Sequence, residues 1–136
     1  MLFFFSEKPG HKIIVGKLAA IWTVIIILLC FLPANEVPNV RIPFIDKWVH
    51  FVMFGTFSFL WLSSLRRFKA FHLLIVFLIS LAYGWLVEVL QGMLSFLGRS
   101  RDNIDMLADG VGGLLGVVIF YIGYRVTRSK ERKRYV

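Results

Sequence analysis

The sequence predicts an all-α fold, a four-transmembrane-helix bundle, on two observations. Of its 136 residues, 58% are hydrophobic and only 18% are charged, whereas about a quarter of the residues in a soluble domain are charged. The apolar residues form long runs between short polar segments, and each run approaches the roughly 20 residues that cross a bilayer. This composition excludes a disordered chain and a typical soluble enzyme, and the single cysteine, Cys30, excludes a disulfide scaffold.

The predicted helices follow one another in a single membrane domain, residues 1–136. The first covers about 13–32 and ends at Pro33. Because this run is long and no small-residue cleavage site follows it, we expect a retained helix rather than a signal peptide. A proline-rich loop, 33–45, precedes the second helix. The remaining segments are a second helix at about 46–65, a third at about 70–94, a fourth at about 102–126, and a basic tail at 127–136.

The distribution of basic residues predicts the orientation in the membrane. With four crossings, twelve of the sixteen Lys and Arg residues lie on the side that holds both termini and the 66–69 loop. The positive-inside rule then places both termini in the cytoplasm, as in a multi-pass protein of the bacterial cytoplasmic (inner) membrane. The net charge of +8 is explained by this orientation, and no nucleic-acid partner is predicted.

Most of the acidic residues fall on the opposite, outer side, where helix ends meet. Ionisable groups at membrane depth normally face the interior of a bundle and pair with one another. We therefore predict a polar binding site that opens to the outer surface. Its residues come from the start of the second helix, the end of the third and the start of the fourth: Asp46, Lys47, His50, Glu88, Gln91, Arg99, Arg101, Asp102, Asp105 and Asp109.

Structural explanations compete at several of these positions. Asp46 would serve as a helix N-cap. Asp102 and Asp105 would likewise serve as an N-cap and a first-turn acid. His50 alone would be an interfacial histidine, whereas Asp109 lies beyond capping range. Glu88 is the hardest to explain structurally. The spacing of Gly112 and Gly116 predicts close packing of helices.

Three motifs within about residues 40–120 resemble those of the VanZ-like family. Asp-Lys-Trp-Val-His-Phe begins at Asp46, Glu-Val-Leu-Gln begins at Glu88, and Arg-Ser-Arg-Asp-Asn-Ile-Asp begins at Arg99. At Asp109 this chain has an aspartate where the family usually has asparagine before its glycine pair. The resemblance implies a small integral membrane protein of the cell envelope, in a family named for a protein associated with low-level resistance to teicoplanin.

Three functions remain open at this point. We prefer an outer-leaflet site that binds or protects an amphiphilic or glycan-like envelope component or antibiotic. In that site Arg99 and Arg101 would hold an anion, and the acids would accept hydrogen bonds from hydroxyls or amines. The second function is a structural subunit of a larger envelope complex with partner membrane proteins.

The third function is an enzyme acting on an envelope lipid head group, with His50 and Glu88 as candidate acid/base residues. The sequence contains no named catalytic signature. Membrane lipids are the expected surroundings, and neither a cofactor nor a metal site is predicted. A variant of the enzyme hypothesis nevertheless places a divalent cation, which prefers carboxylate oxygens, among Asp102, Asp105, Asp109, Glu88 and His50.

Overall fold

The computed structural model describes residues 2–33, 43–98 and 100–134, which form five α-helices and one 3₁₀ turn. The predicted binding residue Arg99 and most of the 33–45 loop lie outside the described residues. Of the described residues, 84% are helical. Because no strand occurs in the described ranges, the all-α prediction is confirmed. The elements are α1 Leu2–Phe5, α2 Pro9–Cys30, α3 Ile45–Ser64, α4 Phe71–Met93, the 3₁₀ turn Ser95–Leu97 and α5 Asn103–Arg134.

Three helical segments are long and apolar enough to cross a membrane: Pro9–Leu29, Phe71–Met93 and Asn103–Lys133. Helix α3 is not among them, because its first two turns carry Asp46, Lys47 and His50. The structure therefore supports a membrane protein, and the fourth predicted crossing depends on how the bundle accommodates the polar start of α3.

The two ends of the chain differ from the predicted helix bounds. Helix α2 begins at Pro9, where proline at the first turn costs no backbone hydrogen bond. Helix α5 continues to Arg134, well beyond the predicted end near 126. The tail contains no glycine or proline, and its Arg, Lys and Glu residues favour helix. Ion pairs of Arg128 with Glu131 and Glu7 also hold this end of α5. The short α1 and the 3₁₀ turn were not predicted.

Helices α3 and α5 form the most extensive packing in the bundle, and they run parallel. A Cβ added to Gly112 would lie 2.1 Å from the carbonyl oxygen of Phe51, and one added to Gly116 would lie 2.1 Å from that of Gly55. At these two positions the helix backbones touch, so no larger residue fits. Helix α4 runs in the opposite direction and packs against both, which brings its end to the starts of α3 and α5.

Helix α2 packs mainly on α3 and is fastened there by polar groups. Trp22 Nε1 donates to the carbonyl oxygen of Met53 at 3.0 Å, and Lys12 Nζ donates to that of Ser63 at 2.7 Å. The core beneath these bonds contains Ile26, Phe54, Phe57 and Val87. Large apolar side chains remain exposed on the outward faces of the long helices, as expected where lipid rather than water surrounds a bundle.

We predict that Gly112→Ala lowers the melting temperature of the detergent-solubilised protein strongly. The added methyl meets the Phe51 backbone, which cannot rotate away, so α3 and α5 must separate; overpacking of this kind costs roughly 1–3 kcal/mol or more. The control is Gly16→Ala in α2, where the nearest atom to the new Cβ is Ser64 Cβ at 3.8 Å. Equal melting temperatures for the two variants would contradict the close contact.

Candidate functional site

The starts of α3 and α5 and the end of α4 bring seven ionisable side chains together, which we call the polar cluster. It forms because α3 and α5 are parallel and in contact, so their first turns lie side by side, while the antiparallel α4 contributes its last turns. The residues of the polar cluster are Asp46, Lys47 and His50 of α3, Glu88 of α4, and Asp102, Asp105 and Asp109 at the start of α5.

Lys47 is the centre of the outer half of the polar cluster. Its Nζ lies 2.6 Å from Asp46 Oδ2, 2.6 Å from Asp102 Oδ2 and 2.9 Å from Asp105 Oδ1. The hydrogen bond from Lys47 lowers the pKa of the Asp102 carboxyl below its usual range. The Lys47 ammonium donates hydrogen bonds to Asp46 and Asp102, and it forms an ion pair with Asp105, whose Oδ1 accepts no hydrogen bond from the described residues.

Asp102 also has the capping role that its position predicts. It immediately precedes α5, and its Oδ1 accepts a hydrogen bond from the backbone N–H of Ile104 at 2.8 Å. Asp46 is not a cap, because α3 begins at Ile45 and the residue before it, Phe44, has a left-handed backbone with φ 57°. Capping thus explains part of the role of Asp102, but it does not explain its ion pair with α3.

The inner half of the polar cluster is closed to solvent. His50 Nδ1 lies 2.9 Å from Asp109 Oδ1 and 3.8 Å from Glu88 Oε1. The side chain of Glu88 is 0% exposed and that of Asp109 is 1% exposed. Glu88 Oε2 accepts a hydrogen bond from the backbone N–H of Asp102 at 2.8 Å, so this carboxylate also fixes the start of α5.

Two carboxylate oxygens in the inner half have no hydrogen-bond donor within the described part of the chain. They are Glu88 Oε1 and Asp109 Oδ2, and both are buried. Buried polar atoms in native proteins are almost always hydrogen-bonded, and an unpaired charge at this depth is expensive. These two oxygens are therefore free to accept a hydrogen bond or to bind a cation.

The remaining predicted binding residues do not join the polar cluster in the described structure. Gln91 is buried on α4, and its side chain makes no hydrogen bond to the residues described. Arg101 is exposed beside Gly92, on which an added Cβ would lie 3.3 Å from Arg101 Cβ. Gly112 and Gly116 lie at the α3–α5 contact described above.

Small residues that were not predicted from the sequence lie beneath the polar cluster and leave space for its side chains. A Cβ on Gly84 would lie 2.9 Å from Asp109 Oδ2, so glycine leaves the space that this carboxylate fills. Deeper still, a Cβ on Gly113 would meet Ser80 Oγ at 2.6 Å and Ser58 Oγ at 3.4 Å. Their spacing could have predicted them. Gly84 lies four residues before Glu88, and Gly113 lies four residues after Asp109, so each shares a helix face with that acid.

A protein-family model described as VanZ/LLP1 matches residues 1–124 of the chain. The chain belongs to the VanZ/LLP1 family. No curated protein and no solved structure gives a significant match.

The family motifs noted in the sequence meet at one place in this VanZ/LLP1 protein. The motif that starts at Asp46 supplies the α3 residues of the polar cluster, the motif at Glu88 supplies its floor, and the motif at Arg99 supplies the first acids of α5. At the position where the family usually has asparagine, Asp109 contacts the His50 imidazole through a carboxylate, which adds negative charge to the inner half.

We predict that Lys47→Met lowers the melting temperature by several degrees at about pH 7, because three carboxylates then face one another without an ammonium. A carboxyl with a lowered pKa stabilises the fold above its ordinary pKa, near 3.9, and loses that contribution as the pH falls. The difference from the wild-type protein should therefore shrink at about pH 3.5.

The control for this prediction is Lys17→Met, which makes the same change at an exposed position of α2. It should leave the melting temperature nearly unchanged at both pH values. If Lys47→Met and Lys17→Met melt alike at neutral pH, the ion pairs of Lys47 do not stabilise the bundle.

Proposed function

We propose that this VanZ/LLP1 membrane protein binds the head group of an amphiphilic or glycan-like envelope component, or an antibiotic of that chemistry, at the outer leaflet of the bacterial cytoplasmic membrane. In this proposal α3 is the fourth crossing of a multi-pass bundle, and both termini are cytoplasmic. The pairing of Lys47 and His50 with acids of α5 supports the fourth crossing, because it turns the polar start of α3 toward the bundle and away from lipid.

The proposal rests on the outer half having more free hydrogen-bond acceptors than free donors. The charge of the Lys47 ammonium is already shared by three carboxylates, whereas each carboxylate keeps lone pairs that can accept further hydrogen bonds. An anionic head group would find no free ammonium at this centre. A head group with hydrogen-bond donors, such as sugar hydroxyls or an amine, would donate hydrogen bonds to the carboxylates of Asp46, Asp102 and Asp105.

The surroundings of the polar cluster support an amphiphile rather than a free polar molecule. Exposure falls from 57% at the Asp46 side chain to 10% at Asp105 and 0% at Glu88, so the cluster opens at one end and closes at depth. Exposed apolar residues follow or adjoin its members in sequence: Trp48, Met93, Phe96 and Ile104. A head group in the cluster would leave its acyl chain beside such residues and the lipid.

A structural role is the second candidate, and one observation favours it. The Lys47 ion pairs join α3 to α5, and the bond from the Asp102 N–H to Glu88 joins α5 to α4. These contacts hold α3, α4 and α5 together at one end without any ligand. A subunit of a larger envelope complex would need this fastening and no binding site.

We predict that a cysteine placed at Ser100 reacts with a membrane-impermeant maleimide on intact cells. Ser100 is exposed and precedes α5 at the end that holds the polar cluster. The experiment uses a Cys30→Ala background, and Lys130→Cys, in the basic end of α5, should react only after permeabilisation. The reverse labelling pattern would reject the outer location of the cluster.

We predict that the protein in phosphatidylcholine nanodiscs binds a fluorescent glycolipid with a free sugar amine more tightly than its N-acetylated counterpart or a lipid phosphate. The combined change Asp46→Asn and Asp102→Asn should weaken amine-lipid binding roughly tenfold, because charged hydrogen-bond acceptors become neutral. Asparagine preserves the helix cap at Asp102.

The matched control is Glu131→Gln, which removes an acid at the other end of α5, and EDTA in every sample removes any contribution of metal ions. Binding that is equal in the wild-type and double-variant proteins would reject the proposed site. A lowered melting temperature in the double variant without amine-lipid binding by the wild-type protein would favour the structural role.

A further inference from the structure

His50 and Glu88 of the inner half and Asp105, where the two halves meet, bring together three metal-ligand groups from three helices. One ring nitrogen of His50, one carboxylate oxygen of Glu88 and one of Asp105 all lie within 4.8 Å of one another, and all three residues are buried. A histidine with two carboxylates is a ligand set that proteins use for divalent transition metals. We propose that His50, Glu88 and Asp105 bind one divalent first-row transition-metal ion.

An unpartnered atom points into this group. Glu88 is fully buried, one of its oxygens holds the Asp102 N–H, and the other, Oε1, has no hydrogen-bond donor among the described residues. That free oxygen lies 3.8 Å from His50 Nδ1, so it faces the histidine of the proposed site. A metal ion would supply the missing partner, and the Asp102 N–H would hold the carboxylate in position.

The charge balance of the polar cluster favours a cation in the same place. Its seven side chains include five carboxylates, one ammonium and one imidazole, so the cluster is negative even with the imidazole protonated. Lys47 is already shared by three carboxylates of the outer half. A divalent ion between Glu88 and Asp105 would compensate the charge that lies deepest, where water screens it least.

Asp109 holds the imidazole of the proposed site. Its Oδ1 lies 2.9 Å from His50 Nδ1, and Glu88 Oε1 lies 3.8 Å from the same nitrogen. A carboxylate that contacts the ring of a metal-binding histidine fixes the orientation of that ring. Asp109 is thus a positioning residue in the proposed site.

The other acidic group at this end of the bundle does not share these features. Asp46, Asp102 and Asp105 also have oxygens within 4.8 Å of one another, but the Lys47 ammonium contacts all three, whereas in the proposed site it contacts Asp105 alone. The imidazole also distinguishes the inner site chemically. An imidazole ligand favours transition-metal ions such as Zn²⁺ over Mg²⁺ and Ca²⁺, which prefer oxygen ligands.

The test measures metal content and melting temperature on the full chain, purified without a histidine tag and stripped with a chelator. After incubation with Zn²⁺, Mn²⁺, Mg²⁺ or Ca²⁺ and gel filtration, we expect about one Zn²⁺ or Mn²⁺ ion per chain and a higher melting temperature, as follows for an ion that binds the folded state. Glu88→Gln should weaken binding by tenfold or more, since even second-shell changes cost 10–100-fold.

Glu131→Gln makes the same chemical change at an exposed site and should bind as the wild-type protein does. Asp105→Asn is the second variant if Glu88→Gln does not fold. No stoichiometric transition metal in the wild-type protein, or binding that both variants retain, would overturn the inference, as would a preference for Mg²⁺ or Ca²⁺. The inference does not rest on amphiphile binding, which is measured in EDTA and can fail or succeed separately.

Discussion

The backbones of α3 and α5 are in direct contact, and this contact sets the positions of the charged side chains at the starts of both helices. Gly112 and Gly116 allow the two helices to touch over successive turns while running parallel. This contact fixes the register that sets Lys47 and His50 opposite acids of α5. Any larger residue at either glycine would move the two helix starts apart and break the ion pairs between them.

Burial divides the polar cluster into two chemically different halves. The outer half is partly exposed and centred on an ammonium that is paired with three carboxylates, whose remaining lone pairs can accept hydrogen bonds from a ligand. The inner half is closed, with two carboxylate oxygens that lack donors among the residues described and an imidazole held through one nitrogen. The proposed head-group site and the proposed metal site rest on this division.

The sequence predicted the membrane class and most helix positions well, because apolar runs of about 20 residues are typical of membrane-spanning helices. It predicted less well where helices stop when no breaker is present. Helix α5 passes through Thr127 to Arg134 because these polar residues favour helix and form side-chain pairs. Likewise, α1 and the 3₁₀ turn at Ser95–Leu97 are too short for periodicity to reveal.

By itself, the sequence determined that this is a helical membrane protein with ionisable residues gathered at helix ends, since hydropathy and spacing within one helix are local properties. Only the tertiary structure decided which of those residues meet. That Lys47 is shared by three carboxylates, that Glu88 keeps a buried free oxygen, and that Gly84 makes space for Asp109 are consequences of the register between helices. Register depends on side-chain volumes at the helix contacts, which no periodicity within a single helix specifies.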